Sequence, residues 1–159
     1  MPSDPAKVII SDTDCLIGLS NIGQINLLRD MYGSITITPE VVEEYGAPLP
    51  DWITVQEVSD AEKTILFNNF IGLGESSAIA LAMETEGALL IVDDRRARQF
   101  AFSLELKITG TLGLLIQAYE NNLIQDIDSV VSSLREANFR LPANTEILIK
   151  NIKNDSFFL

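Results

Sequence analysis

Between residues 7 and 121, short runs of β-branched and apolar residues alternate with longer stretches of helical spacing. Lys7-Val-Ile-Ile-Ser11, Ser34-Ile-Thr-Ile-Thr38, Trp52-Ile-Thr-Val55, Ala88-Leu-Leu-Ile-Val92 and Leu106-Lys-Ile108 read as strands. Helical spacing covers 22–31, with apolar residues at 22, 25, 27, 28 and 31, and Gly33 closes that helix. Thr38 is a fit N-cap for a helix opening at Pro39. Further helices are expected over 60–70, 75–84, 94–104 and from 111 to about 121. Two more follow at 127–137 and 143–152, separated by Asn138-Phe-Arg-Leu-Pro142. The 75–84 helix is so rich in small apolar residues that it should pack on more than one side. Such alternation predicts the α/β class, with a parallel sheet of four or five strands. A chain of 159 residues with 47% hydrophobic content suits one domain spanning 1–159, with a helical C-terminal part at about 127–153.

Composition then narrows the chemistry. There is no histidine and one cysteine, so histidine acid–base catalysis and structural zinc are both excluded. Cys15 sits in an apolar run and reads as a small buried residue. What remains is oxygen chemistry with Asp, Glu, Ser, Thr and hard cations. The net charge of −12 repels nucleic acid and anionic membrane, so any nucleic-acid chemistry needs local compensation. No apolar run is long enough to span a bilayer, and MPSDPAKVII does not look like a signal peptide, so a cytoplasmic location is expected.

In open parallel sheets, ligands bind beyond the carboxyl ends of the strands. The first strand is followed by Ser11-Asp12-Thr13-Asp14 and the second by Glu40, Glu43 and Glu44. Glu75 opens the small-residue helix, and Asp93-Asp94 follow the Ala88 run. Singly, each acid can serve as a helix cap or complement a helix dipole, Glu40 best of all. Together, acids from four segments at one sheet edge repel each other unless a cation neutralises them. Carboxylates without histidine are what octahedral Mg2+ or Mn2+ takes. Arg95 and Arg98 share a helix face and are candidates for holding substrate phosphates, while Arg96 points elsewhere.

Five stretches in this order carry a family resemblance: Ile9-Ile-Ser-Asp-Thr-Asp14, Thr38-Pro-Glu-Val-Val-Glu-Glu44, Gly72-Leu-Gly-Glu-Ser-Ser-Ala-Ile-Ala-Leu-Ala82, Leu90-Ile-Val-Asp-Asp-Arg-Arg-Ala-Arg98 and Ile108-Thr-Gly-Thr-Leu-Gly-Leu-Leu115. Across about residues 7 to 140 the chain resembles the PIN-domain superfamily, in particular its DUF3368-type, VapC-like branch. The resemblance implies a three-layer α/β/α sandwich. It also implies a Mg2+- or Mn2+-dependent ribonuclease, often the toxin of a toxin–antitoxin pair and often a homodimer. RNA is then the substrate and a cognate antitoxin the protein partner. It assigns catalytic roles to Asp12, Glu44, Glu75 and Asp94, with Glu43 the rival of Glu44. Metal ligands would be Asp12, Glu75 and Asp94, with Asp93 sharing the role. Thr13 matches the hydroxyl residue after the first aspartate, and Asp14 stands where Ser is common. On this reading Asp94 faces the cluster, and Asp93 caps the next helix or pairs with Arg96 or Arg98.

Two other readings compete. One is a PIN-like acidic binding or scaffold module without nuclease activity, which the negative charge favours. The other is a phospho-receiver domain, which also uses paired acids and Mg2+. A receiver needs its acid pair after the first strand and a lysine after the last, whereas here the pair comes late and Lys107 precedes Ile108 within the last strand. The apolar positions at 130, 131, 134, 147, 148, 149 and 152 are enough for the last helices to pack on their own sheet. Phe157-Phe158-Leu159 is expected to pack on the body or on a second copy.

Overall fold

The computed structural model describes the backbone of residues 8–157 and side chains as far as residue 154. Lys7 and the terminal Phe157-Phe158-Leu159 packing therefore lie outside the residues whose side chains are described. The strands are β1 (Val8–Ser11), β2 (Ile35–Ile37), β3 (Ile53–Val55), β4 (Ala88–Ile91) and β5 (Lys107–Thr109). They form one parallel five-stranded sheet in the order β3-β2-β1-β4-β5. Val8 pairs with Ala88 and Ser11 with Ile91 across β1 and β4, Ile35 with Ile53 across β2 and β3, and Leu89 with Lys107 across β4 and β5. The helices are α1 (Thr13–Asn21), α2 (Asn26–Tyr32), α3 (Pro39–Tyr45), α4 (Ala61–Phe67), α5 (Leu73–Glu84), α6 (Arg95–Ser103), α7 (Thr111–Glu120), α8 (Ile127–Glu136) and α9 (Thr145–Phe157).

Successive strand residues point to opposite faces, and the two faces have separate cores. Ile9 and Ile91 pack with Leu16 and Leu19 of α1, Leu114 and Leu115 of α7, Leu134 of α8 and Ile149 of α9. Ile10 and Leu90 pack with Phe67 of α4, Ile79 and Leu81 of α5, and Ala97 and Ala101 of α6. The result is an α/β/α sandwich. Residues 76–82 of α5 are all buried, as its small-residue composition requires. In α8 and α9, Val131, Leu134 and Ile149 face the sheet, whereas Ile147 stays 65% exposed.

The sequence reading differs from the structure mainly at residues 13–31. A helix was not expected at Thr13–Asn21, and the expected 22–31 helix is only α2, preceded by a turn through Gly23 at φ +71°. Gly18 lowers the local helix propensity, but the ring of Phe139 lies where its Cβ would be, 2.5 Å from Cδ2. That glycine serves packing within a helix. Smaller shifts occur at α4, which ends at Phe67 rather than 70, and at α9, which begins at Thr145 rather than 143. The strand order also removes the receiver reading. A receiver sheet runs 2-1-3-4-5, whereas here β1 lies between β2 and β4. Lys107 is exposed at the amino end of β5, away from the carboxyl edge.

Candidate functional site

The chain leaves β1 towards β2 on one side and leaves β4 towards β5 on the other, so the switch in strand order lies between β1 and β4. Such a point opens a crevice at the carboxyl edge. Asp12 and Asp93 follow these two strands. The Asp12 amide donates to Ile91 O at 2.9 Å and closes the backbone ladder. The next rung is made by a side chain: the Asp93 amide donates to Asp12 Oδ2 at 2.9 Å. Asp12 Oδ1 accepts from the Cys15 amide at 3.1 Å and so caps α1. Asp12 is fully buried, with both carboxylate oxygens taken by backbone amides.

Asp93 is half-buried. Its carboxylate accepts from the Thr111 amide at 2.7 Å and from Thr111 Oγ1 at 2.6 Å. Gly110 leaves the room for this contact, since a Cβ there would lie 3.0 Å from Asp93 Oδ1 and 2.7 Å from an Arg98 nitrogen. Asp94 caps α6, accepting from the Ala97 amide at 2.9 Å. This exchanges two expected roles: Asp94 is the capping acid, and Asp93 is the one joined to Asp12. The reason is local, because α6 starts at Arg95 and its N-cap position falls on Asp94. Asp94 is exposed, and its charge still bears on Asp14 and Glu75.

Glu44 is held at both oxygens, by Thr13 Oγ1 at 2.7 Å and by the Gly74 amide at 2.8 Å. This links α1, α3 and α5, and a Cβ on Gly74 would meet the carboxylate at 2.5 Å. Glu43 is exposed beside it. Thr38 caps α3 as expected, its Oγ1 accepting from the Val41 amide, and Glu40 lies in the first turn of that helix.

The electrostatics tie these acids together. Burial, then the nearby Asp93 charge, holds the Asp12 carboxyl well above the usual range. Burial also raises Asp14, with Asp93, Asp94 and Glu44 adding to it. Glu75 is raised by burial and then by Asp14, Glu44 and Asp94. Asp93 is raised by burial despite its two Thr111 bonds and the Arg98 guanidinium. Asp14 lies near acids from several segments of the cluster, Asp93, Asp94 and Glu44. Burial pushes the Cys15 thiol up as well, which makes it inert packing.

A cleft of about 1180 Å³ opens over these residues. Asp14, Asp93, Asp94, Arg95 and Arg98 line it, whereas Asp12, Glu44 and Glu75 stand outside its lining. Arg98 is turned partly inward and donates to Val92 O at 2.9 Å. Arg95 is exposed. Gly110 and Thr111 belong to the Ile108–Leu115 stretch, but the sequence reading gave them no role, although they follow the last strand at the same edge as the acids.

A family model described as a PIN domain, DUF3368, matches residues 8–152. The chain belongs to the PIN-domain family. PIN domains are generally nucleases, and this PIN domain carries that nuclease-type fold. No curated protein and no solved structure matches it. Among the described residues, no helix is long and apolar enough to cross a membrane.

The family implies a divalent metal. The donor chemistry of this PIN domain fits one: all the donors are hard oxygens, burial and then neighbouring carboxylates hold Asp12, Asp14 and Glu75 above the usual range, and no ion pair among the described residues neutralises them. As the side chains stand, no three of the described Asp, Glu and Cys residues converge tightly enough to enclose an ion. The fit is therefore to a cation that keeps most of its water and takes one or two carboxylates, as Mg2+ commonly does.

Proposed function

We propose that this PIN domain is a Mg2+- or Mn2+-dependent endoribonuclease that hydrolyses RNA phosphodiester bonds. The observation that carries the reading is the junction at the switch point. There a fully buried Asp12 takes the next rung from the Asp93 amide, and four further acids press on one another around it. Asp12, Asp93 and Asp94 would hold the ion, with Glu75 reaching it through water. Bound there, the ion supplies positive charge to phosphate oxygens and lowers the pKa of a water. Glu44, fixed by Thr13 and the Gly74 amide, would orient the attacking water. Arg95 and Arg98 would take substrate phosphates at the cleft.

Asp12→Asn is expected to abolish Mn2+-dependent cleavage of RNA while the circular dichroism and melting of the fold persist. Cleavage at the wild-type rate by that variant would refute the assignment. Calorimetric Mn2+ binding without cleavage of any RNA by the wild type would favour the inert binding module.

The resemblance extends the reading to the toxin of a toxin–antitoxin pair acting on cytoplasmic RNA, with a cognate antitoxin as partner. Induced expression of the wild type should then arrest growth, and Asp12→Asn should not. Ile65 and Leu66 on α4 and Phe70 just beyond it are 69%, 56% and 59% exposed, which supports a homodimer formed through that apolar face.

A further inference from the structure

The cleft has a second wall that the acids and Arg95 do not supply. It is the connection between α8 and α9, residues 137–144, which packs on α1 and lines the opening together with the start of α6. This connection is fixed at both ends. Asn138 adopts φ +65°, its amide donates to Arg135 O at 3.0 Å, and the Phe139 amide donates to Leu134 O at 2.9 Å. At the far end the buried Thr145 donates its hydroxyl to Pro142 O at 2.5 Å. The Phe139 ring is seated on Gly18 of α1, at a distance that no Cβ would allow. Arg140, next to it, is exposed and lines the cleft.

The distribution of charge gives Arg140 a use. In a chain of 11 cations and 23 acids, the charged residues lining this cleft are Asp14, Asp93 and Asp94 against Arg95, Arg98 and Arg140. The cleft is thus locally balanced within a molecule that is otherwise strongly negative. Arg29, Arg135 and Lys153 are engaged in ion pairs with Asp30, Glu146 and Asp128. Arg140 has no ion pair among the described residues. A polyanion repelled by the rest of the surface would find its cationic contacts along this opening.

We propose that the α8–α9 connection is the outer wall of the substrate groove, and that Arg140 is a positioning residue holding a backbone phosphate of single-stranded RNA beside the scissile one. The proposal rests on the ribonuclease reading above. A walled cleft admits a flexible single strand, whose successive phosphates can contact Arg95 on one side and Arg140 on the other. Binding is measured by fluorescence anisotropy in Mg2+, with a short labelled mixed-sequence oligoribonucleotide and with Asp12→Asn as the background that prevents cleavage. Adding Arg140→Ala should raise Kd about tenfold, the value of one charge-assisted hydrogen bond. It should also reduce the slope of log Kd against log salt by about 1. Adding Arg96→Ala, which removes an exposed charge from outside the cleft lining, should change Kd less than twofold. In the cleaving protein, Arg140→Ala should raise KM with kcat nearly unchanged. Unchanged binding by the Arg140 variant, or an equal loss in the Arg96 variant, overturns the proposal, while cleavage by the wild type would leave the ribonuclease reading standing. If the Asp12→Asn protein binds no RNA and the wild type cleaves none, both fall.

Discussion

The Thr111 amide and hydroxyl donate to the two oxygens of Asp93, at 2.7 and 2.6 Å, so one residue fixes the orientation of that carboxylate. The remaining lone pairs of Asp93 are then presented to the cleft rather than lost to rotation. Thr111→Val keeps the amide bond and the side-chain shape but removes the hydroxyl. Such a loss beside a partly buried charge should cost about 1–2 kcal/mol, read from urea unfolding at neutral pH. Residues that orient a ligand typically matter more to function than to stability, and cleavage should fall about 10–100-fold. Thr111→Ser should restore most of it. A Val variant that cleaves normally would show that Asp93 needs no such support.

At the level of elements, Gly18 sets two effects against each other. Gly18→Ala within α1 gains about 1 kcal/mol of helix propensity. The new methyl, however, would lie 2.5 Å from Phe139 Cδ2, and overpacking of that kind costs about 1–3 kcal/mol. The ring belongs to a connection fixed at both ends, so it cannot move aside freely, and a net loss of stability is expected in thermal melting. The displaced wall should also weaken oligoribonucleotide binding. The same contact shows where the sequence was readable. Strands β1 to β5 and α3 to α8 follow from periodicity and capping signals carried on adjacent residues, such as Thr38 before Pro39. The acids after β1 and β4 were legible for the same reason, because a strand end and the residue after it are neighbours in the chain. Helix α1 was hidden because Gly18 answers to Phe139, 121 positions away. The choice between Asp93 and Asp94 was hidden because it depends on Thr111, 18 residues on, and on the register with which α6 begins.

Over the whole molecule, charge repulsion and the acidic site act in the same direction. Asp12, Asp14, Glu75 and Asp93 all hold their protons more tightly in the folded chain than ordinary carboxylates do, chiefly through burial. The folded state therefore binds more protons than the unfolded state at pH values above about 4, and stability falls as pH rises through that window. Relief of the −12 net charge on acidification adds to the effect. Without divalent ions, the melting temperature should increase as pH is lowered from about 8 to about 5, and Asp12→Asn should flatten that dependence. Mg2+ or Mn2+ competes with protons for the same oxygens, so it should raise the melting temperature more at about pH 8 than at about pH 5. A melting temperature that rises with pH over this range would mean that the acids are stabilised in place by the fold. Equal stabilisation by the metal at both ends would mean that the ion binds away from them.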